Sequence, residues 1–360
     1  MEIRKERIES LKFMRVTAML LVVLIHVTGG ALGTLSPDEP LYFIYLMLNR
    51  FTRFEGAVFV FLSGLLLFYN YASRPFTKKT WKNFYKKRFL YILAPFFIWS
   101  IFYEWYSIYI GTRAFEGIGP IEKSILTGHS FYQLYFILIL VQLYFLLPLF
   151  IYLMHKFQWF KKYMPIIGVI VEIMVQTIMK QYDIQLGFPL FTGYIASFLF
   201  GGWVATYYPI LKKEWSTRRL MLAILSAVVL GLVYTALYYY RNIMGMAAIP
   251  YIAFKLLAVV YFLVACYVLF KASIWLEQHG SAWLNKWAEH LRIYSFGFYL
   301  VHPWLLHVWQ QLLVPETMTQ YHTFMFIRYI AVLLSCYILI RSAHLLFPRA
   351  WMLFGKLPHK

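Results

Sequence analysis

The sequence predicts an all-α, polytopic membrane bundle of about ten transmembrane helices, and three observations carry that expectation. Of its 360 residues 61% are hydrophobic and 14% charged, and the mean hydropathy is +0.62. A soluble domain is about half apolar and about a quarter charged, and so small a polar inventory would not cover the surface of a 42.9 kDa globule. The apolar residues fall in runs of the length, about 20 residues, that crosses the hydrocarbon core. None of these runs has the period-2 alternation of a membrane barrel strand, which leaves the helix as the spanning form. A disordered chain, a collagen-like fibre and an ordinary soluble enzyme are excluded on the same grounds.

In chain order the runs are 11–30, 54–72, 89–110, 131–153, 164–180, 189–208, 220–240, 249–270, 293–313 and 325–346. The first is too long for a signal-peptide core, lacks a small-residue cleavage site, and carries Arg15 and His26, so it is expected to stay as a span. Leu41 to Arg50 is too short to span and reads as an interfacial piece. Residues 78–88, with Lys78, Lys79, Lys82, Lys86, Lys87 and Arg88, read as a basic loop leading to Pro95. Cys266 and Cys336 both lie in apolar runs, which gives no disulfide framework. There is no evident repeat or appended soluble domain. The expected organisation is a single unit, 1–360, with a cytoplasmic N-terminus at 1–10, the bundle at 11–346 and a cytoplasmic C-terminus at 347–360.

The net charge of +19 is read here as topology rather than as a sign of nucleic acid. With the N-terminus inside, 26 of the 34 Lys and Arg residues fall in the segments that would then be cytoplasmic.

The first run is the most informative. Arg15 and His26 lie 11 positions apart, a rotation of about 1,100°, or roughly 20° past three full turns. Both side chains therefore share one helix face, separated axially by about 16.5 Å at 1.5 Å per residue. Ionisable groups inside a span are costly and usually functional; the plain alternative is that Arg15 anchors the rim and His26 makes a hydrogen bond between helices. In the second run, Gly56 to Gly64 includes Ser63 and small residues that permit close helix packing. Lys87 and Arg88 either meet lipid headgroups or grip a phosphate. His129, in Gly128-His129-Ser130-Phe131-Tyr132, lies on the expected outer side, and His302 stands beside Pro303 in the ninth run. Glu55, Glu104 and Glu172 are the carboxylates that could orient His26. No Gly-rich phosphate loop, zinc-ligand spacing or redox cysteine pair is present, so no metal and no tightly bound cofactor are expected.

Taken together, these residues make the chain similar to the bacterial integral-membrane acyltransferase family 3, of the surface polysaccharide O-acyltransferase type. The resemblance covers essentially the whole chain. It rests on Arg15-x10-His26, Phe59-Val-Phe-Leu-Ser63-Gly64, Lys87-Arg88 with Pro95, Tyr135…Tyr144…Pro148, and Ser295-x-Gly297-x-Tyr299-Leu-Val-His302. It implies an acyl-CoA donor on the cytoplasmic side, Arg15 as a donor-binding group and His26 as the catalytic histidine. One position departs from the pattern: where members often carry Arg-x-x-Arg, Arg88 is followed by Tyr91. Donor phosphates would then rely on Arg88 with Lys86 or Lys87, or the donor differs.

The expected function is transfer of an acetyl or succinyl group from acyl-CoA to a hydroxyl of a cell-envelope glycan, in the bacterial inner (cytoplasmic) membrane. Ser63, Glu172, His129 and His302 are the candidates for catalytic support. Membrane lipids and glycan-synthesis proteins are the expected neighbours, with no nucleic acid. The alternative is an exporter or flippase of a glycan or lipid intermediate, with Arg15, Glu172 and His26 lining a conduit; a scaffold in a polysaccharide-synthesising complex is a third reading.

Overall fold

The structure, a computed structural model, describes residues 7–246 and 249–358. Arg4, Lys5 and His359, along with the extreme ends of the two predicted terminal segments, lie outside the described residues. Among the described residues there are helices and no strand.

Helix α1 (Leu11–Thr34) is followed by α2 (Tyr42–Phe51) and α3 (Glu55–Tyr71), which together make a helical run of 30 residues interrupted by one turn. The piece from Leu41 to Arg50, expected between the first two spans, is thus helical and joined to α3 by a single turn. Its helix packs on α1, where the buried Asn49 amide donates to the Ile25 carbonyl (2.8 Å) and to Thr28 Oγ1 (3.1 Å). The basic segment expected as a loop is helix α4 (Lys78–Arg88), capped by Thr77 Oγ1, which accepts from the Thr80 amide at 3.3 Å. It continues through a π-helical turn, Phe89–Leu93, into α5 (Ala94–Tyr109). Pro95 accounts for the turn. It has no amide hydrogen and its ring crowds the carbonyl of Tyr91 four residues back, so the helix widens locally.

The chain then forms α6 (Ile118–Thr127), α7 (Tyr135–Lys156) and α8 (Gln158–Gln181). A 3₁₀ turn, Phe191–Tyr194, leads to α9 (Ile195–Thr206) and α10 (Tyr208–Leu211). The last elements are α11 (Thr217–Asn242), α12 (Tyr251–His279), α13 (Ala282–Leu291), α14 (Ser295–Leu312), α15 (Met318–Leu346) and α16 (Trp351–Phe354).

Each of the ten predicted stretches is helical, and eight helical runs of the described residues are long and apolar enough to cross a membrane. The sixth and ninth stretches differ for separate reasons. Helix α9 has 12 residues, about 18 Å at 1.5 Å per residue against about 30 Å of hydrocarbon. Helix α14 is longer but polar, with Ser295, His302, His307, Gln310 and Gln311 along its length. Neither has to satisfy lipid by itself, because neighbouring helices bury much of each.

Helix α9 fits against α3 through glycine. A Cβ on Gly64 would lie 2.2 Å from the Phe198 carbonyl oxygen, and one on Gly201 would lie 2.2 Å from that of Phe61. These backbones touch with no room for a methyl group, which explains the small residues of the second predicted run. Gly64→Ala is expected to cost about 1–3 kcal/mol by overpacking, read as a lower melting temperature in detergent. Gly33→Ala, where nothing lies within 4 Å of the added atom, should leave the melting temperature unchanged.

Candidate active site

Near the face where α1 begins, α1, α3, α4, α7 and α14 enclose a cavity of about 600 Å³. Among the described residues Arg15, Arg74, Lys87, Arg88, Arg292 and Lys356 line it, and no carboxylate does. Like charges gathered between low-dielectric walls repel one another and favour a multiply charged anion. The Arg88 guanidinium spreads over the rings of Phe84 (4.4 Å) and Tyr144 (5.6 Å), which support it without neutralising it.

Two of these cations are delivered by local structure that the sequence does not advertise. Arg292 follows α13, and its Nε donates to Glu289 Oε2 at 2.6 Å, while Arg7 donates to Glu289 Oε1 at 2.7 Å. The Arg292 hydrogen bond foremost, with that of Arg7, holds the Glu289 carboxyl down to about 2, so it stays ionised at neutral pH and fixes Arg292 at the wall. Lys356 comes from the segment after α16, which Trp99 Nε1 anchors by donating to the Leu353 carbonyl (2.8 Å). Gly355 turns that segment at φ +73°, close enough to the Tyr91 carbonyl that a Cβ would lie 2.9 Å from it. The Tyr91 ring packs on Trp351 at 5.7 Å. The residue that stands where a second arginine was expected therefore docks the segment that carries a lysine into the cavity.

A second cavity, of about 330 Å³, holds His26 together with Arg53, Glu55, Gln133, Tyr132 and Tyr194. The His26 ring lies 4.7 Å from that of Tyr132 and 5.1 Å from that of His302, stacked on the latter at an angle of 28°. His302 is fully buried, and its Nδ1–H donates to the Phe298 carbonyl at 2.8 Å. That bond leaves Nε2 with the lone pair in the neutral ring. The Asn49 bond to the Ile25 carbonyl pins the turn of α1 from which His26 projects.

The two cavities meet at one partition, because Phe59, Phe136 and Tyr299 line both. The Tyr299 hydroxyl donates to the Gln133 carbonyl, and Phe136 lies 6.1 Å from Tyr299 and 6.4 Å from Phe59. On the far side a vestibule of about 310 Å³, lined by His129, Phe188 and Pro189, shares Tyr132 and Tyr135 with the His26 cavity. Its non-helical wall is held by Gln142, which donates to the Pro189 carbonyl (2.7 Å) and accepts from the Phe191 amide (3.1 Å). Irregular backbone at membrane depth is tolerated where protein satisfies it in this way.

The predicted residues are thus partly gathered and partly dispersed. Arg15, Ser63, Lys87 and Arg88 share the cationic cavity, Ser63 donating to the Phe59 carbonyl at 3.0 Å. Lys86 is exposed and does not line it. His26 stands across the partition with His302 stacked on it, and His129 is exposed on the vestibule wall, its Nδ1 2.9 Å from Thr127 Oγ1. Glu172 lies elsewhere, joining α8 to α12 and α9 through Lys255 (3.5 Å) and the Ala196 amide (3.3 Å). Glu104 pairs with Arg113 at 2.5 Å. Glu55 is the carboxylate that lines the His26 cavity. Arg53, Arg74, Gln133, Arg292 and Lys356 were not singled out from sequence, since only tertiary packing collects them. Among the described residues no three metal-ligating side chains converge.

Neither a curated protein nor a solved structure matches the chain. A family model described as an acyltransferase domain matches residues 8–341, a span that contains α1 through α14, most of α15, and nearly all of both cavities. With a histidine cavity and a cationic cavity abutting inside a bundle of membrane-length helices, the chain belongs to acyltransferase family 3 and is a multi-pass membrane acyltransferase.

Proposed function

We propose that this acyltransferase moves a small acyl group, acetyl or succinyl, from an acyl-CoA thioester to a hydroxyl of a cell-envelope glycan, in a bacterial cytoplasmic membrane with both termini cytoplasmic. The observation that carries this reading is the shared partition of Phe59, Phe136 and Tyr299. A thioester on one side and a hydroxyl on the other are separated by a single layer of side chains. The six cations that line the donor-side cavity suit the phosphates of CoA. The pantetheine arm then covers the axial distance of about 16.5 Å between Arg15 and His26. Aromatic rings at the vestibule suit the apolar faces of sugar rings. The exporter reading loses its ground because the family is one of acyltransferases.

His26 takes the proton of the acceptor hydroxyl as its oxygen attacks the thioester carbonyl. The C–O bond forms, the C–S bond breaks, and the imidazolium returns the proton to the departing CoA thiolate. In the covalent variant an imidazole nitrogen first displaces the thiolate, which takes up the proton the ring gives up, and the acceptor oxygen then displaces the imidazole, which regains a proton from the hydroxyl. Glycan-synthesis proteins in the same membrane would supply the acceptor.

Protein in lipid nanodiscs is expected to transfer radiolabel from acetyl-CoA or succinyl-CoA to envelope glycan. Reporter fusions after Lys82, Lys161 and Arg218 should report the cytoplasm, and fusions near Asp38, Glu122 and Arg241 the exterior. Absence of label on glycan with either donor, or an external location for α4, would overturn the reading.

A further inference from the structure

The two cavities differ in charge and in hydrogen-bonding character. Among the described residues, six cations line the donor-side cavity, with Arg292 held by Glu289 behind the wall, whereas the His26 cavity carries one arginine, Arg53, and one carboxylate, Glu55. The second site is therefore close to neutral. It also contains polar atoms that the protein leaves unsatisfied. Glu55 Oε2 and both the Oε1 and the Nε2 of Gln133 are buried with no hydrogen-bond partner among the described residues, and Gln133 is only 3% exposed. Buried polar atoms are almost always paired, and an unpaired one costs about 1–3 kcal/mol, more if charged. Three such atoms on two residues that line one cavity, two acceptors and one donor, point to a ligand that both donates and accepts, as a hydroxyl does.

Glu55 is also placed for this role by its backbone. It opens α3, directly before Gly56, where an added Cβ would lie 3.1 Å from the Tyr194 hydroxyl. The tyrosine thereby closes over the first turn of α3, and the carboxylate is confined to the cavity shared with His26. No ion pair joins Glu55 to His26, whose ring contacts are Tyr132 and His302.

We infer that Glu55 and Gln133 form a subsite for a neutral, hydroxyl-rich ring, whose O–H groups donate to Glu55 Oε2 and Gln133 Oε1. Arg53 donates to the ring's oxygens, and Tyr132, Tyr135 and Tyr194 bound its apolar faces. The inference rests on the proposed transfer to a glycan hydroxyl and deepens it. Glu55 acts here as a positioning residue for the acceptor rather than as a partner that tunes His26. A ligand carrying its own carboxylate would place it against Glu55, so the subsite selects against uronic acids.

The test is binding of methyl β-D-glucopyranoside and of methyl β-D-glucuronide to nanodisc-embedded protein, followed by ligand-observed NMR, with CoA binding measured on the same samples. The parent protein should bind the neutral glycoside in preference to the uronide. Glu55→Gln and Gln133→Leu should each weaken binding of the neutral glycoside by about tenfold or more, with CoA affinity retained as evidence of an intact fold. If one variant does not fold, the other decides. Unchanged glycoside affinity in a folded variant, no glycoside binding by the parent, or preference for the uronide would each overturn the subsite. Glycoside binding that depends on Glu55 in a protein that does not bind CoA would leave the subsite standing and fault the donor reading instead.

Discussion

Replacing His26 with glutamine is expected to abolish acyl transfer, a loss of at least about a hundredfold, the lower end of what a positioned general base contributes. An amide can occupy the space between Tyr132 and His302 and make a polar contact there, but it can neither take a proton nor carry an acyl group. Folding and expression should be near parental, because the surrounding rings and the Asn49 bond to the Ile25 carbonyl remain. CoA binding should also persist, since the six cations lie beyond the partition of Phe59, Phe136 and Tyr299. The measurement is a matched pair on one preparation: CoA affinity, and acyl transfer to glycan. Near-parental transfer by His26→Gln would reduce His26 to a structural residue and remove the centre of the proposed mechanism.

Arg15→Ala is expected to weaken acyl-CoA binding by about 10- to 100-fold, the range for losing a hydrogen bond to a charged group. Arg15 lines both the cationic cavity and the smaller one that opens toward Arg7 and Lys12. It therefore stands between the two cavities. Arg15→Lys should recover only part of the affinity, because an ammonium cannot present two parallel donors to a phosphate. The remaining five cations should keep binding measurable, and raising the salt concentration should weaken what is left. A folded Arg15→Ala protein that binds CoA as tightly as the parent would place the donor elsewhere.

Much of this architecture is legible in the sequence, for a physical reason. Lipid imposes a one-dimensional rule, that about 20 consecutive apolar residues make a helix, and the runs obey it wherever a helix faces the bilayer. Helix α9 escapes the rule because its surroundings are α3 and α8, and what Gly64, Gly168 and Gly201 record is the approach of another backbone. The basic segment before Pro95 escaped for a related reason: its lysines mark it as polar, while the Thr77 cap and the continuation into α5 make it helical.

The candidate site divides the same way. Arg15 and His26 share a face because the distance between them is set by one helix, and helical geometry can be computed from spacing alone. The sequence by itself therefore determined the class of fold, the line joining Arg15 to His26, and the family to which their pattern belongs. Only the tertiary structure decided which carboxylate lies with His26. Glu55, Glu104 and Glu172 are equivalent as sequence, but Arg113 engages Glu104 and Lys255 engages Glu172. Only the tertiary structure likewise carried Arg292 and Lys356 to the wall with Arg15, across more than two hundred residues of chain. Their places are fixed by the Glu289 clamp and by the docking of Tyr91 on Trp351. Side chains that far apart in sequence meet only after the helices pack, and no local spacing encodes that meeting.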